Sequence, residues 1–443
     1  MREEPVDKWI IAPIRKFINN SSMSGIVLFT SALLAMIISN SPWADDYHGW
    51  WNVKFYIGYG DFVVNKTLHH WINDGLMAVF FFVVGLELKR EIVSGELSDP
   101  KNAVLPIVAA LGGMAIPALI YVIINPAGEA SNGWGVPMAT DIAFALGILY
   151  LLGRSVPLSL KVFLTALAIV DDLGAVLVIA FFYTSDINFI SLASGAIFLV
   201  VLVSANLMGV RSTLFYGIVG IGGLWLAFLM SGVHATIAAV LAAFTIPANV
   251  KISEQFFIGR MKVLLSDYEK AKPNDKSTIT KEQYYILEAI RNNSKKAITP
   301  LQRLEYSMHP LVAFVIMPVF AFSNAGVTLT GDIGSQLQSP VVLGIVAGLI
   351  GGKLIGVVGT GLLLIKLKWV SLPRDMTTQH LWGAGFLSAI GFTMSLFIAG
   401  LAFTSPSYNT QAKLGILLAS VIASIIGFFI IRAAGKKAEM QAG

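Results

Sequence analysis

Residues 158–183 read LSLKVFLTALAIVDDLGAVLVIAFFY. Past Lys161 the stretch is apolar for long enough to cross a bilayer core, which takes about 20 residues of helix. Its middle nevertheless carries Asp171 and Asp172 side by side. The rest of the chain agrees with a membrane setting. Of 443 residues, 56% are hydrophobic and 13% charged, with a mean hydropathy of +0.73. A soluble domain carries about 25% charged residues. A length that would suggest two or three soluble domains therefore reads as one membrane domain over 1–443.

Further apolar spans lie near 22–40, 72–88, 103–124, 134–153, 188–208, 213–229, 231–248, 308–328, 340–365, 379–403 and 411–434. With 158–183 they predict an all-α polytopic protein of about twelve transmembrane helices, both termini on one side. Lys and Arg fix the side: of 31, only Lys54, Lys66 and Lys413 fall outside when the N-terminus is cytoplasmic, and Lys353 lies within a span. That asymmetry satisfies the positive-inside rule. The net charge of +5 is spread over many cytoplasmic segments, so it forms no nucleic-acid surface. Arg2-Glu3-Glu4 and Asp7-Lys8 do not resemble a cleaved signal. Trp9, Trp43, Trp50, Trp51 and Trp134 fall near the expected interfaces. Cysteine is absent, which excludes thiolate metal sites and disulfides.

Two connections are long. The cytoplasmic segment 249–305 is polar, with an apolar-periodic run near 282–290, and reads as a loop carrying one or two surface helices. The external segment 45–68 places Trp51 to Ile57 and Phe62 to Val64 around Gly58-Tyr59-Gly60-Asp61, the pattern of a β-hairpin. A hairpin alone is marginal, so its edge is expected to pair.

The informative charges are those inside spans: Asp141 after Thr140, Asp171, Asp172 and Lys353. At about 2.5–3.5 kcal/mol each, four cost roughly 10–14 kcal/mol before pairing. Cross-linking of helices could explain one pair, but not three acids, two of them adjacent, with one base. Neighbours on a helix point about 100° apart, so one acid can meet a neighbouring helix while the other lines a cavity. Two such carboxylates release protons in coupled steps, and a hard cation can neutralise the same oxygens. A site that takes either H+ or Na+ is an exchanger in outline.

The backbone is interrupted nearby. Pro137 disfavours helix at Val136, ahead of Asp141, and the eleventh span carries Gly383, Gly385 and Ser388-Ala389-Ile390-Gly391-Phe392-Thr393. Ile107 to Met114 and Ile345 to Lys353 are similar runs, each opening a three-helix unit, and the two units have opposite orientations. Paired broken helices in inverted repeats point to a transporter's binding site. Their half-dipoles suit Asp141 at positive ends and Lys353 at negative ends. Kinks used only for packing are the alternative.

Ala139 to Gly147 (ATDIAFALG) and Ala168 to Ala175 (AIVDDLGA) resemble signature stretches of the NhaA family of sodium/proton antiporters. Phe81 to Arg90, Ser231 to Thr236, Phe322 to Val327 and Gly391 to Ser395 resemble further family motifs, and the likeness runs from the first span to the twelfth. The resemblance implies that Asp172 is the principal Na+ and H+ carboxylate and that Asp171 is its neighbour, paired with Lys353. It implies that Thr140 and Asp141 balance the crossed half-helices. Asp74 and Glu87 match acids around the cytoplasmic end of the second helix, Glu305 and His309 a pH-sensing region, and His234 a position tuning the pH response. On the residues alone, Glu87 with Lys89, Arg90 and Glu91 reads equally as an interfacial charge cluster, and His234 as a packed histidine.

The resemblance further implies export of Na+, with Li+ as a second substrate, against two H+, for sodium and pH homeostasis. It also implies a lipid-embedded homodimer, joined through the 45–68 hairpin, in a bacterial inner membrane. No cofactor is expected. Segment 249–305 is longer than in the best-known member, and Tyr306 replaces a histidine there. The competing readings are an antiporter of other cation selectivity, a cation channel, and an intramembrane aspartyl protease. A protease would draw its two acids from different helices, and a channel would need rings or carbonyl filters from several subunits.

Overall fold

The computed structural model describes residues 21–442 apart from 60–61, 185–186, 273–277, 330–332 and 374. The charged residues 2–8, Trp9 and the hairpin turn Gly60-Asp61 lie outside the described residues. The chain opens with α1 (Ser21–Ser39) and a short α2 (Ala44–Asn52). Strands β1 (Lys54–Tyr59) and β2 (Phe62–Thr67) follow, antiparallel, with Lys54 opposite Thr67 and Tyr59 opposite Phe62. Trp51 and Asn52, expected to begin the first strand, instead end α2. A π-helical turn, Trp71–Leu76, leads into α3 (Met77–Ser94), followed by α4 (Pro100–Ile124). A 3-10 helix, Glu129–Met138, precedes α5 (Ile142–Leu151), and α6 (Leu158–Phe182) carries the paired aspartates.

The second half contains α7 (Phe189–Leu207), α8 (Thr213–Leu229) and α9 (Ala235–Thr245). The cytoplasmic segment of the sequence reading holds α10 (Glu254–Lys270) and α11 (Lys281–Ala297). Thr280 and Gln283 form a reciprocal capping box at the start of α11, which satisfies two orphan helix donors. Then come α12 (Pro300–Asn324), α13 (Pro340–Lys366), α14 (Thr378–Ser388), α15 (Phe392–Ala402) and α16 (Pro406–Ala442). Thr299 caps α12 and Pro300 takes its first turn, so that helix starts ahead of the predicted 308.

Among the described residues, nine helical units are long and apolar enough to cross a membrane. The span predicted at 72–88 is helical, but Glu87, Lys89, Arg90 and Glu91 interrupt its apolar run. The span predicted at 231–248 is shorter than expected. Its α9 has 11 residues, about 16 Å of rise against a core of about 30 Å. The chain turns at Gly232, whose φ is +81°, and helix begins only at Ala235.

Small residues let the helices close on the site. A Cβ on Gly112 would come 2.6 Å from the Gly356 carbonyl oxygen, and one on Gly352 would come 2.6 Å from Pro117 Cα. α4 and α13 therefore meet backbone to backbone, as small-residue membrane interfaces do. The two similar glycine-rich runs of the sequence meet here only at their ends, where Gly113 lies against Lys353, and this contact seats Lys353 in the interior. Trp43 and Trp50 are exposed as interface residues should be, whereas Trp51 and Trp134 are half-buried and meet Phe322 and Phe182 edge to face.

Candidate functional site

The two interruptions occupy one place. The 3-10 helix ends at Met138, and Ala139, Thr140 and Asp141 run extended before α5. Across from them, α14 ends at Ser388 and α15 begins at Phe392. The segments run antiparallel. Glu129 accepts from the Thr404 and Ser405 amides at 3.0 and 2.7 Å, Ser395 Oγ donates to Val136 O at 2.8 Å, and Thr393 N donates to Asp141. At the crossing, Asp141 N donates to Ile390 O at 2.6 Å and Thr140 Oγ1 lies 2.7 Å from Ser388 O.

Asp141 caps two helices with one carboxylate. Its Oδ1 accepts from Phe144 N at 2.9 Å, and its Oδ2 accepts from Thr393 N at 3.0 Å and from the Thr393 hydroxyl. The positive ends of α5 and α15 thus converge on one buried negative charge. The Phe392 amide, another orphan donor of α15, is taken by Ser420 Oγ at 3.2 Å. Thr393, Ser388 and Ser420 were given no role from the sequence. Hydroxyls in spans as apolar as 379–403 and 411–434 were the available signal.

Asp171 and Asp172 are 1% exposed and Lys353 is fully buried. The Lys353 ammonium donates to Asp171 Oδ2, which also accepts from Thr140 Oγ1 at 2.5 Å. Lys353 thus sits on Asp171, the partner the resemblance implied, rather than on the negative ends of the half-helices that their dipoles alone suggested. The carbonyl at the end of α14 faces the Thr140 hydroxyl instead. Two π-helical stretches, Ala347–Gly352 and Leu354–Gly359, flank Lys353, and widened turns of this kind frequently occur at functional sites. Three carboxylate oxygens, Asp171 Oδ1 and both of Asp172, are buried without a hydrogen-bond partner among the described residues.

The residues expected from the resemblance to set the pH response divide into separate groups. Arg90 bridges Glu91 at 2.8 Å and Glu305 at 2.9 Å, joining α3 to α12. Glu87 lies about one helical turn before them on α3, and His309 one turn past Glu305 on the exposed side of α12. Asp74 is not with them. It lies in the π turn at the other end of the same helical rod, beside Lys66, His70 and Trp225, about 20 Å of helix from Glu87. The expectation that it shares an end with Glu87 is corrected by the chain direction: the helix leaves the hairpin at Asp74 and reaches Glu87 more than three turns later. His234 precedes α9 with its ring Nε2 2.7 Å from Tyr183 O. The Tyr183 hydroxyl in turn donates to Asn132 O at 2.7 Å, which links His234 to the 3-10 helix ahead of Asp141.

Buried carboxylates and an ammonium at the crossing of two interrupted membrane helices define a secondary transporter rather than an enzyme. The sequence profile of the Na+/H+ antiporter 1 family matches residues 15–431, and the chain belongs to that family. It is 49% identical over 430 residues to the Na(+)/H(+) antiporter NhaA of Oleidesulfovibrio alaskensis, covering 97% of this chain and 95% of the relative. It is 47% identical over 444 residues to Na(+)/H(+) antiporter NhaA 1 of Saccharophagus degradans, covering 98% and 95%. The antiporter NhaA of Koribacter versatilis is 44% identical over 422 residues, covering 95% and 91%.

Proposed function

We propose that this protein exports Na+, and Li+ as a second substrate, from the bacterial cytoplasm in exchange for external H+ and so serves sodium and pH homeostasis. Asp172 is the carboxylate that alternately holds the proton and the cation. The observation that carries this reading is its pair of buried oxygens, neither of which has a hydrogen-bond partner among the described residues. A buried ionised carboxylate without a partner is costly, so Asp172 is either protonated or neutralised by a cation, and carboxylate oxygens suit a hard cation. Asp171 is committed to Lys353 and Thr140, which leaves no symmetric acid pair for a protease.

The architecture that goes with this function is twelve membrane segments in two inverted repeats, with both termini cytoplasmic. The interrupted segments cross near the midplane, so a modest tilt exposes Asp172 to one side or the other. Deprotonation of Asp172 on the cytoplasmic side admits Na+, and reprotonation on the outside expels it. A second proton, carried by Asp171 or by Lys353 released from its pair, makes the cycle electrogenic. Glu87, Glu305, His309 and His234 modulate the response to pH, as does Asp74 from the external end. The β1–β2 hairpin joins two copies in a lipid-embedded homodimer. The test is Asp172→Asn in everted vesicles: the variant inserts and stays folded but moves no protons in response to Na+. Near-normal Na+-driven proton movement would remove Asp172 from this role.

A further inference from the structure

A pocket of about 340 Å³, remote from the carboxylate site, is walled by Arg211, Lys251, Asn292, Lys295, Lys296 and Arg303. No Asp or Glu lines it, and none of its five cations joins an ion pair among the described residues. The arrangement is held by backbone. Lys251 N donates to Lys296 O at 3.0 Å, which sets these two side chains beside each other. Leu301 N donates to Pro247 O at 3.2 Å, closing the base of the inserted α10–α11 segment. Arg211 donates to Asn249 O at 2.6 Å. Like charges gathered in one concavity repel one another, and a bound counter-charge relieves that repulsion.

We propose that this pocket binds a phosphate-bearing anion. Ammonium and guanidinium donors converging on one concavity match the several acceptor oxygens of a phosphate group, and the Asn292 amide adds neutral donors. Lys251, Lys295 and Lys296 come from the insertion around α10 and α11, and Arg211 and Arg303 from the membrane body. A bound anion would therefore fasten the insertion to α12. Arg303 and Glu305, the carboxylate held by Arg90, lie on different faces of α12, so occupancy reaches the α3–α12 ion pair only through the helix itself. A soluble diphosphate and a lipid headgroup share this chemistry.

The test uses the purified full chain in uncharged detergent, titrated by calorimetry with inorganic pyrophosphate, and with short-chain phosphatidylglycerol as competitor. Binding is the readout, so it stands apart from any failure of Na+/H+ exchange. Pyrophosphate is expected to bind saturably and to weaken at least ten-fold in the double variant Lys295→Gln/Lys296→Gln. These side chains are exposed, so the fold survives, and Lys251→Gln alone gives a second, smaller loss. Raising the salt weakens binding further. Displacement of pyrophosphate by the lipid assigns the site to a headgroup, and no displacement assigns it to a soluble anion. Absence of saturable binding by both probes overturns the proposal, as does binding equally tight in the variants.

Discussion

Removal of one member of the Lys353–Asp171 pair is expected to harm the protein more than removal of both. Lys353 is fully buried and its ammonium meets Asp171. Lys353→Met strands an ionised Asp171 whose remaining donor is the Thr140 hydroxyl. Asp171→Asn strands an ammonium at a position where α4 and α13 touch through glycine backbone. Breaking a buried pair by deleting one partner costs about 3–5 kcal/mol, so independent effects would sum to roughly 6–10 kcal/mol. In the double variant no charge is left uncompensated. The carboxamide still reaches Thr140, and the methionine fills most of the lysine's volume, so the expected loss is about 1–3 kcal/mol. The coupling energy is then at least about 3 kcal/mol, the upper end of what contacting residues show. Reversible unfolding of the four proteins in mixed micelles measures it. Losses that add to within about 0.5 kcal/mol would refute the pairing as an energetic unit.

Thr393→Val removes the hydroxyl from Asp141 but keeps the amide donor, and is expected to cost about 1.5–3 kcal/mol and slow transport, with Thr393→Ser restoring both; a valine variant equal to wild type in both would contradict the shared cap. Transport is expected to fall as pH drops, because protons occupy the oxygens that Na+ needs, and raising Na+ at low pH restores the rate. Failure of saturating Na+ to restore any activity would move control to the Arg90–Glu305 cluster. Exchange of two H+ for one Na+ moves one charge per cycle, worth about 2.3 kcal/mol per 100 mV, enough for a Na+ gradient of roughly 40-fold at zero pH gradient. A reversal point in proteoliposomes that ignores voltage would leave no second proton.

Much of this was legible in the sequence because charge inside an apolar span is rare and costly. Asp141, Asp171, Asp172 and Lys353 stood out for that reason, and Pro137 and Ser388 to Thr393 marked the breaks. Position along a span was harder to read. Asp74 and Glu87 sit on one helical rod, and only the chain direction out of the hairpin separates them. The partner of Lys353 was ambiguous on the residues alone, because a half-helix end and a carboxylate both attract an ammonium. The Arg211–Lys296 pocket was invisible, since its cations come from three separated stretches that only the folded insertion brings together. The shortness of α9 could have been read from Ser231-Gly232-Val233-His234, a polar, glycine-containing stretch ahead of the apolar helix.

The hydrogen-bond geometry at the crossing also constrains how the site can move. Thr140 Oγ1 lies within bonding distance of Asp171 Oδ2 and of Ser388 O, but a hydroxyl has one hydrogen. With Asp171 ionised, the stronger, charge-assisted bond to the carboxylate takes that hydrogen, and the carbonyl at the end of α14 loses its donor. With Asp171 protonated, its own hydrogen points to Thr140 and the hydroxyl turns to Ser388. The protonation state of Asp171 is thus relayed to the end of one half-helix. Asp141, by contrast, holds α5 and α15 through backbone N–H donors to one carboxylate, so those two ends stay tied while Asp141 is ionised. A cycle built on these residues moves α5 and α15 together and loosens α14. Thr140→Val, which cannot bond either group, is expected to abolish the pH dependence of amide-exchange protection at Ala389 and Ile390 while leaving that at Phe144 intact. Unchanged pH dependence at Ala389 would show that the relay does not run through the Thr140 hydroxyl.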